Sequence, residues 1–278
     1  MLRDTRFIEL SARDRAKGLL DAGTYCELLD PFDHIMSPWL EPQGIVPQAD
    51  DGMVVAKGTI AGKPAVVAAI EGTFQGGSMG EVSGAKMASA LELAAEDNRR
   101  GVPTQAVLCL ETGGVRLQEA NLGLAAIADI HAAIVDLRRY VPVVGIVAGT
   151  VGCFGGMSIA AALCSYLIVT REARLGLNGP QVIEQEAGID EYDSRNRPFI
   201  WSLTGGEARF ANGFVDRLVD DSLAAVKAAT VECLDKGKPH VFRNERYEDF
   251  LFKLNTFDTR QQADARLTAA LFARENQS

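Results

Sequence analysis

Along the chain, short and almost wholly apolar runs alternate with glycine-rich turns and with longer stretches whose apolar positions recur every three or four residues. Two β-rich runs, Met53–Ile60 and Pro64–Ile70, are separated by Ala-Gly-Lys and predict a hairpin. After the turn Gly72–Gly80, the residues Val82, Ala85, Ala88, Leu91 and Ala95 recur at helical spacing and predict a helix over Glu81–Arg99. The same order then repeats. Ala106–Leu110 reads as a strand, Glu111–Arg116 as a turn, and the segment from about Gln118 to Arg139 as a helix. Val143–Ala148 reads as a strand, 149–156 as a turn, and Met157–Cys164 as a short Ala-rich helix. Further β runs at Tyr166–Val169 and Ala173–Leu177 lead to Gly179-Pro180 and more helices. The start, Met1 to about Asp51, is helix-like and then irregular, because Pro31, Pro38, Pro42 and Pro47 stop any long element. The Arg-, Gln- and Ala-rich C-terminal stretch reads as a surface helix and a frayed end.

Strand, glycine turn and helix in repetition predict an α/β fold with parallel strands and right-handed crossovers. The turns fall where strands end and helices begin. Backbone N–H groups point outward unpaired there, and α/β folds place their ligands there.

Composition narrows the function. A chain of 278 residues holds one sizeable core or two small ones, and 47 % hydrophobic with 23 % charged residues is ordinary for a globular enzyme. The net charge of −9 argues against a nucleic-acid or anionic-membrane surface. No signal-type segment opens the chain, and its apolar stretches are interrupted before reaching the ~20 residues a membrane span needs. The five cysteines (Cys26, Cys109, Cys153, Cys164 and Cys233) are odd in number and lack CxxC spacing, which reads as reduced thiols in a cytoplasmic protein.

Several motifs yield to plainer readings. Gly58–Lys63 is one residue short of a P-loop and reads as the hairpin turn. Ser83–Lys86 matches SxxK but lies inside a helical repeat. His34, His131 and His240 show no metal-ligand spacing, and His131 reads as a satisfied structural histidine. Gly76-Gly77-Ser78-Met79-Gly80 matches the GxSxG nucleophile elbow. A hydrolase built on Ser78 would need a base such as His240. The plainer reading has these glycines admitting a ligand, with Ser78 capping the following helix. The later turns favour it, since they repeat the glycines without the serine. In Gly113-Gly114-Val115 and Phe154-Gly155-Gly156, paired glycines permit positive φ and close approach. Consecutive N–H groups can then converge on one oxyanion.

The segments 74–86 (FQGGSMGEVSGAK), Glu96-Asp97-Asn98, 112–119 (TGGVRLQE) and 179–185 (GPQVIEQ) resemble the carboxyltransferase branch of the crotonase superfamily, over about residues 50–220 and in the same order. Within that branch the chain is most similar to the β subunits of biotin-independent malonate decarboxylases. The nearest rival, the β subunit of the bacterial, biotin-dependent acetyl-CoA carboxylase carboxyltransferase, usually carries a four-cysteine zinc ribbon at its N-terminus, where this chain has only Cys26. Thr112-Gly113-Gly114-Val115 also departs from the common Ser-Gly-Gly-Ala, which bears on the shape of the pocket near Val115.

The resemblance implies a crotonase/ClpP-like ββα spiral of carboxyltransferase type. It also implies a core over 51–235 between an N-terminal helical arm (1–50) and a C-terminal helical tail (236–278). The implied activity is decarboxylation of malonyl-S-acyl-carrier protein to acetyl-S-acyl-carrier protein and CO2. No cofactor would be bound directly, because the substrate rides on the CoA-derived prosthetic group of the carrier. The implied partners are a γ subunit sharing the active site, the acyl-carrier protein subunit and an α (acyl-carrier transferase) subunit. On this reading the N–H groups of Val115 and Gly155, held by Gly113, Gly114, Phe154 and Gly156, would bind the enolate oxygen. Gly76, Gly77 and Ser78 would line the approach of the pantetheine arm. The alternatives are a biotin-dependent carboxyltransferase subunit, a serine hydrolase using Ser78, and a non-catalytic subunit that docks the carrier.

Overall fold

A computed structural model describes residues 5–46, 48, 50–261 and 264–272. Pro47 and the end of the tail, where the sequence predicts a break and fraying, lie outside the described residues. Seven strands form one sheet in chain order: β1 (Cys26–Leu28), β2 (Met53–Ile60), β3 (Lys63–Ile70), β4 (Gln105–Cys109), β5 (Val143–Val147), β6 (Tyr166–Thr170) and β7 (Arg217–Val219). β1, β2 and β3 pair antiparallel, and every later neighbour pairs in parallel. β4 and β5 are buried at every position, as expected of parallel strands covered on both faces.

The predicted hairpin turns through Ala61 (φ 49°) and Gly62 (φ 75°). Positive φ at both central residues suits the twist of the flanking strands. The carboxylate of Asp21 accepts both turn N–H groups, at 3.2 and 2.9 Å, and so holds the alanine in this conformation.

Helix α1 (Ala12–Leu19) starts at the Ser11 cap and packs Ala12, Ala16 and Leu19 onto the β2–β3 side of the sheet. The other face is covered by α2 (Glu81–Arg99), α3 (Asn121–Leu137) and α4 (Gly156–Leu163), with Met87, Leu91, Ile130, Ile134 and Met157 at its centre. The stretch before residue 50 thus contributes a core helix and an edge strand. Beyond β6 follow α5 (Pro180–Ala187), α6 (Arg197–Thr204), α7 (Gly206–Ala211), β7, α8 (Leu223–Asp235), α9 (Tyr247–Asn255) and α10 (Ala265–Phe272). Among the described residues, no helix is long and apolar enough to cross a membrane.

One predicted β run differs. Ala173–Leu177 does not join the sheet, but makes single bridges, Cys153 with Leu175 and Arg174 with Gly205. Two further bridges, Met79 with Val115 and Thr112 with Cys153, join the turns that follow β3, β4 and β5. These short extended pieces make a second layer across the strand ends. Each repeat is therefore strand, bridge, helix, in agreement with the ββα spiral.

Candidate active site

The second layer fixes the glycine turns by backbone bonds between successive repeats. Gly113 N–H donates to Gly76 O at 2.9 Å, Met79 N–H to Gly114 O at 2.8 Å, and Arg116 N–H to Met79 O at 2.8 Å. Thr112 N–H donates to Gly152 O at 2.7 Å and Phe154 N–H to Thr112 O at 3.0 Å. Cys153 N–H donates to Arg174 O and Gly155 N–H to Leu177 O, each at 2.8 Å.

Gly113–Val115 and Phe154–Gly156 come together at the closest point. Gly114 has φ 106° and Gly155 has φ 60° and ψ −147°. A Cβ on Gly155 would stand 3.2 Å from Gly114 Cα, and one on Gly114 would stand 3.3 Å from both Gly155 Cα and Phe154 O. Only glycine allows both the conformation and the approach.

The donors differ in one respect from those expected. Gly155 N–H is engaged by Leu177 O and cannot serve a ligand. The donor of that turn without an acceptor among the described residues is the next one, Gly156 N–H, at the first position of α4, where a helix leaves its N–H groups unbonded. Val115 N–H is also without an acceptor among the described residues. In a parallel bridge the bridging residue's own N–H and C=O point away from its partner strand, and here that partner is Met79. Val115 N–H and Gly156 N–H thus flank the Gly114–Gly155 contact. The carbonyl of each donor's peptide is bonded: Gly114 O by Met79 N–H, and Gly155 O by Ser158 N–H at 3.0 Å and Ser158 Oγ at 2.7 Å. The dipole of α4 adds partial positive charge at this end.

Gly76, Gly77 and Ser78 form the neighbouring turn. A Cβ on Gly77 would collide with Glu111 O, so the first turn lies directly on the second. Ser78 does not cap α2. Its Oγ accepts from Arg116 Nε at 3.2 Å and its carbonyl from Arg116 Nη2 at 2.8 Å. The N-cap is Gly80, whose N–H donates to Ser83 Oγ at 2.9 Å, while Glu81 N–H donates to the carboxylate of Glu119 at 2.7 Å. Ser78 has φ −66° and ψ 142°, extended rather than the strained turn of a nucleophile elbow. Among the described residues no histidine bonds to it. His131 Nε2 is bonded to Gly156 O at 2.8 Å, a satisfied structural partner as predicted.

Three buried ion pairs brace the site. Arg116 pairs with Glu119 at 2.9 Å, and Lys86 pairs with Asp51 at 2.9 Å while also donating to Met53 O. Burial raises the Asp51 carboxyl above its ordinary value, with Lys86 opposing. Arg15 of α1, 3 % exposed, pairs with Glu111 at the end of β4. The Glu111 carboxylate also accepts from Val151 N–H at 3.2 Å, and a Cβ on Gly72 or Gly149 would run into it. Cys153, in the middle of the bridges, is fully buried, and burial pushes its thiol up, which makes it a packing residue and not a nucleophile. Among the described residues no group of three or more His, Cys, Asp or Glu side chains could hold a metal ion.

Sequence reasoning missed Met79, Arg15, Glu111, Ser158 and Leu177, and gave no role to Arg116 or Glu119. The last two lie in the TGGVRLQE segment, so a signal existed for them. Ser158 acts on Gly155 O, three residues back within its own turn, while the others act through non-local pairing that has no local signature.

A model of the carboxyl transferase domain family matches residues 9–236. The Malonyl-S-ACP:biotin-protein carboxyltransferase MADC of Malonomonas rubra is 42 % identical over 245 residues, covering 84 % of this chain and 77 % of the relative. Among solved structures, a chain of a Pseudomonas malonate decarboxylase hetero-tetramer in complex with malonate superposes with a TM-score of 0.93 at 68 % identity, covering 98 % of both chains. A chain of the Pseudomonas malonate decarboxylase MdcD–MdcE hetero-dimer gives 0.77 at 61 % identity, covering 90 % of this chain and 96 % of the other. The chain shares the carboxyltransferase, crotonase-like architecture and belongs to the carboxyl transferase domain family.

Proposed function

We propose that this chain is the β subunit of a malonate decarboxylase. With a γ subunit it converts malonyl-S-acyl-carrier protein to acetyl-S-acyl-carrier protein and CO2. The observation that carries the reading is the pair of unpaired backbone donors, Val115 N–H and Gly156 N–H, beside the Gly114–Gly155 contact. Similarity over the full chain to a malonate decarboxylase subunit supports it.

The chemistry asks for little else. As the bond to the carboxylate carbon breaks, CO2 leaves and the electron pair moves into the thioester, placing negative charge on its oxygen. Preorganised donors at that oxygen lower the barrier, because their interaction is stronger in the transition state than with the neutral carbonyl. The enolate carbon then takes a proton, from water or from a group on the partner subunit. Gly113, Gly114, Phe154 and Gly155 hold the donors, while Gly76, Gly77 and Ser78 line the entry of the pantetheine arm.

No cofactor is bound directly in this reading, since the carrier brings the CoA-derived group. The γ subunit, the acyl-carrier protein and the α subunit are the proposed partners. Leu117 and Leu177, 82 % and 60 % exposed beside the turns, suit a surface that the γ subunit covers. Five free cysteines, four of them buried, fit a cytoplasmic enzyme.

A second reading, transfer of the carboxyl group to a biotin-bearing protein, is favoured by the name of the Malonomonas relative. It uses the same enolate. The two separate when the purified complex is incubated with malonyl-S-acyl-carrier protein in the absence of biotin. Release of CO2 at full rate is the expected result, and a strict biotin requirement would establish carboxyl transfer instead.

A further inference from the structure

The hydroxyl of Ser158 makes a bond that the helix does not need. Gly155, the N-cap of α4, has no side chain to offer, and its own N–H is taken by Leu177 O. Its carbonyl already receives Ser158 N–H at 3.0 Å, which satisfies it as the start of the helix. Ser158 Oγ nevertheless donates to the same oxygen at 2.7 Å. Serine and threonine hydroxyls in helices commonly donate to a carbonyl three or four residues back, as Ser202 does to Phe199 O at 2.7 Å. What sets Ser158 apart is the peptide it reaches.

The carbonyl so engaged belongs to the Gly155–Gly156 peptide, whose N–H is the unpaired donor at the site. Donors on a carbonyl polarise its peptide and strengthen the hydrogen bond made by the N–H at the opposite end. They also fix the plane of a peptide that has glycine on both sides and few constraints of its own. The other donor is treated alike: Gly114 O, on the peptide that carries Val115 N–H, receives Met79 N–H at 2.8 Å. There the second-layer bridge does the work. At Gly155 a side chain adds to it.

We infer that Ser158 is a positioning residue for the decarboxylation, holding and polarising the Gly155–Gly156 peptide so that Gly156 N–H meets the enolate oxygen. This rests on the oxyanion reading above. Because Gly155 O keeps Ser158 N–H when the hydroxyl is removed, Ser158→Ala leaves no orphaned group, and alanine is the better helix former. The variant is expected to fold normally.

The test is steady-state decarboxylation of malonyl-S-acyl-carrier protein by the assembled complex carrying Ser158→Ala or Ser158→Thr. Loss of one polarising hydrogen bond should lower kcat about 3- to 10-fold in the alanine variant. KM and the thermal midpoint should stay close to wild type, and threonine, which restores the hydroxyl, should recover most of the rate. Binding of a carrier-bound thioether analogue, which lacks the carbonyl oxygen, should be unaffected. An unchanged kcat in Ser158→Ala overturns the inference. So does an equal loss in the alanine and threonine variants, or a loss that appears only in KM. Val115→Pro separates the two levels. If that variant also keeps full turnover, the oxyanion reading itself fails. If it is inactive while Ser158→Ala is unimpaired, only the role of Ser158 fails.

Discussion

Replacing Gly155 by alanine tests how tightly the backbone at the two turns is constrained. Gly155 sits at φ 60° and ψ −147°, a conformation that costs a residue with a Cβ about 1–3 kcal/mol. The new Cβ would stand 3.2 Å from Gly114 Cα, so backbone rather than a yielding side-chain tip must move. If φ relaxes, the 2.8 Å bond from Gly155 N–H to Leu177 O is lost as well, worth about 1 kcal/mol. Together these suggest about 2–4 kcal/mol, or a fall in thermal midpoint of roughly 5–15 °C. Any relaxation also turns the Gly155–Gly156 peptide and misaims Gly156 N–H, and loss of one such donor typically lowers kcat by about 10²- to 10³-fold. The assay is CO2 release from malonyl-S-acyl-carrier protein by the assembled complex, read beside its melting curve. Gly101→Ala is the control. It has φ 87° with nothing within 4 Å, so it should lower the midpoint and leave kcat alone. A Gly155→Ala complex that turns over within about twofold of wild type, on the scale set by the loss of one donor, would refute the argument.

Other outcomes follow from the same geometry. Ser78→Ala should cost less than about tenfold in kcat, because only the bond to Arg116 Nε is lost, and mass spectrometry should find no acyl adduct on Ser78 in the wild type. Arg15→Met should destabilise the chain by about 3–5 kcal/mol in denaturant unfolding, since it leaves the Glu111 carboxylate buried without its partner. Burial pushes the thiols of Cys109 and Cys164 up to about 12 and that of Cys233 up to about 11, and it raises Cys153 too. At pH 8 a thiol reagent should therefore label Cys26 alone in the native protein, and Cys26→Ser should abolish the reaction.

The pattern of apolar runs, glycine turns and helical repeats predicted β2 to β6 and α2 to α4 with ends within a few residues, because each is long enough to carry a pattern, periodic in the helices and a continuous apolar run in the buried strands. β1 and β7 escaped because three residues carry none. Ala173–Leu177 looked like a strand because it is extended and apolar, yet its bonds go to the second layer and not to the sheet. The same limit applied at the site. That Gly113–Val115 and Phe154–Gly156 belong together was legible from their equivalent places in successive repeats. Which N–H is spent was not, because the acceptor for Gly155 is Leu177, twenty-two residues on and paired only through tertiary register. Ser78 misled for a related reason: serine before a helix suggests a cap, but Glu119 and Ser83 fill that role and Arg116 claims the hydroxyl. The ion pair of Arg15 with Glu111 joins residues far apart in the chain and has no spacing to read.

Val115→Pro tests most directly whether backbone donors carry the decarboxylation. Val115 N–H makes no hydrogen bond within the described residues, so proline removes a candidate oxyanion donor without breaking a native one. In the assembled complex supplied with malonyl-S-acyl-carrier protein, kcat should fall about 10²- to 10³-fold while the complex stays folded and still binds the carrier. Turnover at the wild-type rate by a folded Val115→Pro complex would contradict the account.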